Sequence, residues 1–267
     1  MPSTRPLNDS EENAVSDVNP FRLDGAAIVV TGASSGIGAQ IARTLGEQGA
    51  RVLLVGRDEQ RLQASAAAVR ATGAEAEPLA LDLCDEAAPE LVLAAARDRF
   101  GALTGLVHAA GVFDPTPFGD TTDAILDRQW EVNVRAPFRL TRAAVPHLPR
   151  GASVTFISSI AGHVGFPNSS AYCATKGAVE LLVRSLAVEL APAGVRVNAV
   201  APGNVRTSIN AHLLADPEYH AQMLAATPAG RIGEVEDIAP AVAFLASPAA
   251  GYVHGASLLV DGGWAAL

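Results

Sequence analysis

Seven short apolar runs punctuate the chain, at residues 26–30, 51–55, 76–81, 104–108, 153–157, 195–200 and 257–260. The first, 26–30, is a continuous apolar run and a candidate buried strand, while 195–200 alternates. Between them lie stretches of helical composition: 39–48, 58–71, 85–100, a long region over 121–148, a helix carrying Tyr172 and Lys176 up to residue 190, and 234–245. Pro137 predicts a break in the long region, and Asn133, a mediocre helix former, sits inside it. Ala191-Pro192-Ala193-Gly194 ends the helix of Tyr172. Strands alternating with helices of this length form βαβ units and a parallel sheet. The expectation is an α/β fold, a doubly wound parallel sheet of about seven strands with helices on both faces. Residues 23–267 would form this one domain, since no repeat or linker divides them. The segment 204–230 interrupts the alternation, with helical stretches at 209–215 and 218–226, and is expected to be a substrate lid.

Residues 1–22 are polar, contain proline and lack any period, so a flexible arm is expected there. The 267 residues, 49% hydrophobic and 18% charged, suffice for a sizeable core. Cys84 and Cys173 make no disulfide framework and point to a reducing compartment, with Cys173 read as a buried, inert thiol. A net charge of −9 without a basic run argues against nucleic acid as a partner. No apolar run approaches the ~20 residues that span a bilayer, and the acidic N-terminus is no signal peptide. A cytoplasmic protein with no membrane partner is the expectation, and no ligand spacing suggests a metal.

The chemistry gathers at strand ends, where ligands of such sheets lie. The run 26–30 leads into Thr31-Gly32-Ala33-Ser34-Ser35-Gly36-Ile37-Gly38 and then a helix, the context in which a glycine turn and free helix N–H groups hold a phosphate. After the second strand, Gly56 stands where a carboxylate would accept the ribose hydroxyl of NAD. Arg57 follows, whose guanidinium suits the 2′-phosphate of NADP, so NADP(H) is preferred and NAD(H) remains open. Asp82 and Leu83 fall at the third strand end, where Asp82 can meet an adenine amino group. Ala109, Ala110 and Gly111 fall at the fourth, and Ser159 at the fifth. Tyr172 and Lys176, four apart, share one helix face. A phenol with a reference pKa near ~10 needs help to exchange protons, and a neighbouring cation favours its ionised form. Ser159 can supply the hydroxyl that polarises a carbonyl.

Together, Thr31-Gly32-x-x-x-Gly36-x-Gly38, Asn133, Ser159 thirteen residues before Tyr172, Lys176, Pro202-Gly203-x-Val205-x-Thr207 and Val260-Asp261-Gly262-Gly263 resemble the short-chain dehydrogenase/reductase family, in its compact single-domain branch. The resemblance covers about residues 22–267. It implies a Rossmann-type fold and NAD(P)-dependent hydride transfer at a secondary alcohol or ketone, in a homo-oligomer, usually a tetramer. Carried over, Tyr172 is the general acid and base. Lys176 lowers its pKa and binds the nicotinamide ribose, Ser159 holds the substrate oxygen, and Asn133 holds a relay water. Gly32, Ser34, Ser35, Gly36, Ile37 and Gly38 cradle the pyrophosphate, while Pro202, Gly203, Val205 and Thr207 border the nicotinamide. Ser35 lacks the basic side chain that many NADP-using members carry in this loop. His108-Ala109 stands where the family has two asparagines, so Ala109 loses their side-chain hydrogen bonds.

Two alternatives stand beside an oxidoreductase. One is a catalytically silent NADP(H)-binding sensor, against which the full set of Asn133, Ser159, Tyr172 and Lys176 argues. The other, a sugar-nucleotide epimerase or dehydratase, needs more chain after Pro202 than is present. The apolar residues of the excursion (Ile209, Leu213, Leu214, Met223, Leu224), without a cationic cluster, favour a neutral or lipid-like ketone.

Overall fold

A computed structural model describes residues 19–266. Its centre is one seven-stranded parallel sheet: β1 (Ala27–Thr31), β2 (Arg51–Gly56), β3 (Ala76–Ala80), β4 (Gly105–His108), β5 (Ser153–Ile157), β6 (Arg196–Pro202) and β7 (Ser257–Val260). They lie in the order β3-β2-β1-β4-β5-β6-β7. The chain starts in the middle, winds outward through β2 and β3, then crosses back to β4 and winds the other way. The turn of direction falls between β1 and β4, the place where such sheets open a ligand crevice.

Successive side chains of a strand point to opposite faces, and here both faces are covered. Ile28 and Val30 of β1 join Val52 and Leu54 of β2 under α1 (Gly36–Glu47), α2 (Glu59–Arg70) and α9 (Val235–Ala246). Ala27, Val29, Leu53 and Val55 face the other way, against α3 (Ala88–Phe100), α5 (Ala136–Ala144) and α6 (Ser170–Leu190). That is why the runs read as continuous apolar stretches. Each fully buried Leu or Ile contributes ~1.5–3 kcal/mol, and Ile28, Ile41, Leu45, Leu53, Leu54 and Leu62 are all in that class. Arg196 at the start of β6 is buried and donates to the carbonyls of Leu245, Ala246 and Ala250, satisfying the C-terminal end of α9.

The break expected near Pro137 is present just before it, and two local expectations are corrected. The region 121–148 breaks before Pro137: α4 (Asp123–Trp130) runs into a π-helical turn, Glu131–Arg135, closed by the Ala136 N–H on the Glu131 carbonyl. Pro137 opens α5, where a missing N–H costs nothing. The arm expected over residues 1–22 lies outside the described residues up to position 18. From there its last residues are packed: the Phe21 ring is 6.3 Å from that of Phe244, and Arg22 donates to the Glu47 carbonyl. Cys173 is half-buried rather than buried.

The excursion carries α7 (Ala211–Leu214) and α8 (Pro217–Ala225). Its base is closed by a bridge between Val205 and Gly233, with the Gly233 N–H on the Asn204 carbonyl and the Arg206 N–H on the Gly233 carbonyl. Among the described residues no helix is long and apolar enough to cross a membrane.

Candidate active site

At the carboxyl edge of the sheet, the loops approach too closely for side chains. Gly32 has φ +66°, and a Cβ there would lie 2.6 Å from the Ala110 nitrogen; one on Gly38 would lie 2.3 Å from the Gly32 carbonyl. Glycine alone fits such contacts, which press the turn after β1 against the turn after β4 and onto the start of α1. Ser35 is the N-cap of α1, yet its side chain makes no capping bond, so the first N–H groups of the helix stay open to an anion. Gly36 faces Thr207, 3.7 Å from where its Cβ would be. A Cβ on Gly203 would meet Asp261 at 2.7 Å, so the exit of β6 packs directly on the Asp261-Gly262-Gly263 turn. Thr207 and Val205 are ordered by Asn210, which accepts from the Thr207 N–H and hydroxyl at 3.0 Å and donates to the Val205 carbonyl.

Ala109 does not leave its segment loose. The Thr31 hydroxyl accepts from the N–H groups of Ala109 at 3.2 Å and Ala110 at 3.3 Å. His108 is buried, stacked 4.6 Å from Phe156 and bonded to the Thr141 hydroxyl at 2.8 Å; burial pushes its pKa down to about 3 and keeps it neutral. Thr31, Leu83, His108 and Ala110 line one small cavity with Val132 of the π turn. Asp82 accepts from the Cys84 N–H and lies 3.9 Å from Arg57.

Ser34, Arg57, Asp58 and Arg61 line an open hollow at the end of β2. Asp58, the acid lining this hollow, is already engaged: it caps α2 by accepting from the Arg61 N–H at 2.9 Å and from its guanidinium at 2.7 Å. Gly56 brings no carboxylate. A Cβ there would lie 3.3 Å from the Ser34 side chain.

The four polar residues singled out in the sequence converge. Ser159 caps a short 3₁₀ turn, Ile160–Gly162, accepting from the Ala161 N–H at 3.1 Å, and its hydroxyl lies close enough to the Tyr172 phenol to pull that group's pKa down. Lys176 Nζ donates to the Ile157 carbonyl at 2.9 Å and sits 5.5 Å from the centre of the Tyr172 ring. A Cβ on Gly111 would be 3.4 Å from Asn133 Oδ1 and 3.8 Å from that ammonium. The Asn133 side chain is engaged on every side: Oδ1 accepts from the Val112 N–H at 2.8 Å, and Nδ2 donates to the Val112 carbonyl and to Thr175. It ties the loop after β4 to α6, a framework role the spacing did not reveal.

The expected lowering of the Tyr172 pKa is corrected. Burial outweighs every other influence and pushes the phenol up to about 12, although the nearby Ser159 hydroxyl pulls it down. Burial also pushes Lys176 down to about 8, against the pull of Glu180. Lys176 is the only lysine of the chain; every other residue among the 19 lysines and arginines is arginine. The Phe113 ring leans on Tyr172 with centroids 4.8 Å apart, and Phe166 stacks with Trp264 at 5.5 Å. Sequence reasoning passed over Thr31 as a hydrogen-bonding residue, Asn210 and these aromatics.

A family model described as enoyl-(acyl carrier protein) reductase matches residues 32–265. The chain belongs to the short-chain dehydrogenase/reductase family. As a member it is an oxidoreductase. It is 40% identical over 253 residues to 2-(S)-hydroxypropyl-CoM dehydrogenase 3 of Xanthobacter autotrophicus, covering 92% of this chain and 99% of that one. It is 42% identical over 248 residues to a galactitol 2-dehydrogenase (L-tagatose-forming) of Cereibacter sphaeroides, covering 91% and 96%. A solved family structure from Beutenbergia cavernae, with NADP bound at low occupancy, is 38% identical and superposes with a TM-score of 0.87, covering 93% of this chain and 100% of that one.

Replacing Thr31 by Val removes the acceptor shared by Ala109 and Ala110. Chemical denaturation is expected to show a loss of about 1–3 kcal/mol, and fluorescence titration a weaker NADPH complex. Wild-type stability and affinity together would contradict this role.

Proposed function

We propose that the protein transfers a hydride between the nicotinamide of NADP(H) and a secondary alcohol or ketone, with Tyr172 as general acid and base. The observation that carries this reading is the convergence of the Ser159 hydroxyl and the Tyr172 phenol at the end of β5, with the Lys176 ammonium 5.5 Å from the centre of the ring. The open N–H groups of α1 and the close glycine approaches suit a dinucleotide pyrophosphate, with Gly32, Ser34, Ser35, Gly36, Ile37 and Gly38 around it. Asp82 and Leu83 would border the adenine, Ala109, Ala110 and Gly111 the adenosine ribose, and Pro202, Gly203, Val205 and Thr207 the nicotinamide. When bound, the nicotinamide donates or accepts the hydride.

The chain's own residues move the proton and hold the oxygen. In ketone reduction Ser159 donates a hydrogen bond to the carbonyl oxygen, and Tyr172 delivers its proton to that oxygen as negative charge develops. Lys176 opposes charge left on the phenolate and would reach the nicotinamide ribose. The widened turn at Asn133 offers backbone carbonyl to a relay water, which passes the proton onward from Lys176. A phenol held at about 12 is protonated at neutral pH, the form that reduction requires. Alcohol oxidation requires the phenolate and gains with rising pH.

NADP(H) is favoured over NAD(H) by the chemistry at the end of β2. Arg57 and Arg61 face the hollow beside Ser34, and Asp58, the carboxylate that would repel a phosphate, is held by Arg61. The substrate reading is a neutral alcohol or ketone. Phe113 walls the phenol, and Arg206, at the root of the excursion, is paired with Glu234 at 3.3 Å. Residues 204–230 would close over the substrate as a lid. Leu181 and Val188 on α6 are 66% and 77% exposed, which supports association of identical copies through this helix.

Two measurements test the reading. With a panel of cyclic and acyclic ketones and NADPH, Tyr172→Phe is expected to lose about 10²–10⁴-fold in turnover while binding NADPH like wild type. In wild type, oxidation of the matching alcohol is expected to rise steadily from pH 7 to beyond pH 9; equal turnover in Tyr172→Phe removes the acid. Arg57→Ala is expected to raise KM for NADPH by about tenfold or more, the worth of one charge-assisted hydrogen bond. KM for NADH should stay within about twofold in the same assay. An equal change for both cofactors would remove the phosphate contact.

A further inference from the structure

One turn along α6 from Lys176, the side chain of Glu180 is only 5% exposed. Its Oε1 accepts a hydrogen bond from Ser257 at 3.0 Å and lies 3.1 Å from His163 Nε2, which is itself 3.2 Å from the Ser257 hydroxyl. Its Oε2 has no hydrogen-bond partner among the described residues. A buried carboxylate with one bare oxygen is costly, and hydride transfer as set out above has no place for it. The groups that hold it come from two separate parts of the chain. His163 follows the 3₁₀ turn that Ser159 caps, Ser257 opens β7, and Gly162 packs so closely that a Cβ would lie 3.0 Å from Glu180 Cγ and 2.9 Å from the Lys176 carbonyl.

We propose that Glu180 is a positioning residue acting through Lys176: clamped by Ser257 and His163, its carboxylate is the counter-charge that keeps the buried ammonium charged. Residues four apart on a helix share one face, so the carboxylate adds its field to the amine one turn away. Burial draws Lys176 down to about 8, and Glu180 is the charge that resists it. The other titratable groups facing this pair are Tyr172, Cys173 and the exposed Arg184 on α6 and His163 after β5. Elsewhere the charges are engaged: Glu131 in the π turn pairs with Arg135 at 2.8 Å, Arg128 on α4 pairs with Asp114, and Arg196 on β6 holds the end of α9. β7 presents only the uncharged Ser257. The proposal rests on the dehydrogenase reading only for what the ammonium is used for.

Because the chain has a single lysine, protein grown on lysine labelled with carbon-13 at the ε-carbon gives one side-chain resonance. Its shift against pH reads the titration of Lys176 in the full chain, without nucleotide or substrate. The midpoint in Glu180→Gln is expected to fall about half a pH unit or more below wild type. Glu180→Asp, which keeps the charge but withdraws it by one methylene, should lie between the two. Midpoints equal to wild type in both variants, in protein that melts like wild type, would overturn the proposal. If Glu180→Gln does not fold, Glu180→Asp decides: a lowered midpoint supports the counter-charge and an unmoved one overturns it. Active Tyr172→Phe would remove the proposed acid and leave this midpoint where it is, so the two readings fail separately.

Discussion

Seven strands running in one direction must all turn back at their carboxyl ends, and those turns crowd one edge of the sheet. The crowding is severe between β1 and β4, where the winding reverses. A Cβ on Gly32 or Gly38 would overlap backbone atoms there, so the loops come together only because these residues have none. The same glycines leave the N-terminus of α1 bare, and Thr31 pins the neighbouring turn through two backbone N–H groups. A site for an anion and a rigid wall beside it thus arise from one packing constraint.

Burial sets the character of the phenol and the amine. Water is excluded from the Tyr172 phenol and the Lys176 amine alike, and each is pushed toward its neutral form, the first up to about 12 and the second down to about 8. Ser159 and Glu180 act against that push, one on each group. The Ile157 carbonyl supplies a direct acceptor for the ammonium, so α6 is fastened to the end of β5 by the same atom that places the charge. Arginine serves at the surface ion pairs, where its fork is always charged; beside the phenol a buried amine, which responds to its surroundings, is used instead.

Much of this was legible in the residues. Strands buried on both faces write continuous apolar runs, and β5 and β7 begin and end where those runs do. Local motifs such as the glycine loop and Tyr172-x-x-x-Lys176 encode neighbours along the chain, and those neighbours are found together. What the pattern did not carry is contact between distant segments. Pro137 signalled a break nearby, but nothing local said that it would take the form of the π turn at Glu131–Arg135. Spacing placed a cation near the phenol but contained nothing about desolvation, which reverses the direction of the shift. His163, Glu180 and Ser257 meet across 94 positions, and no motif links them.

The central claim is that the phenol, the serine hydroxyl and the lone ammonium flank the reactive end of a dinucleotide laid along this edge. A crystal structure of the protein grown with NADP+ tests it most directly. The nicotinamide is expected to lie against Tyr172, with Lys176 Nζ within hydrogen-bonding distance of its ribose hydroxyls and the pyrophosphate over the start of α1. A dinucleotide bound elsewhere, or one whose nicotinamide lies away from Tyr172 and Lys176, would contradict the account.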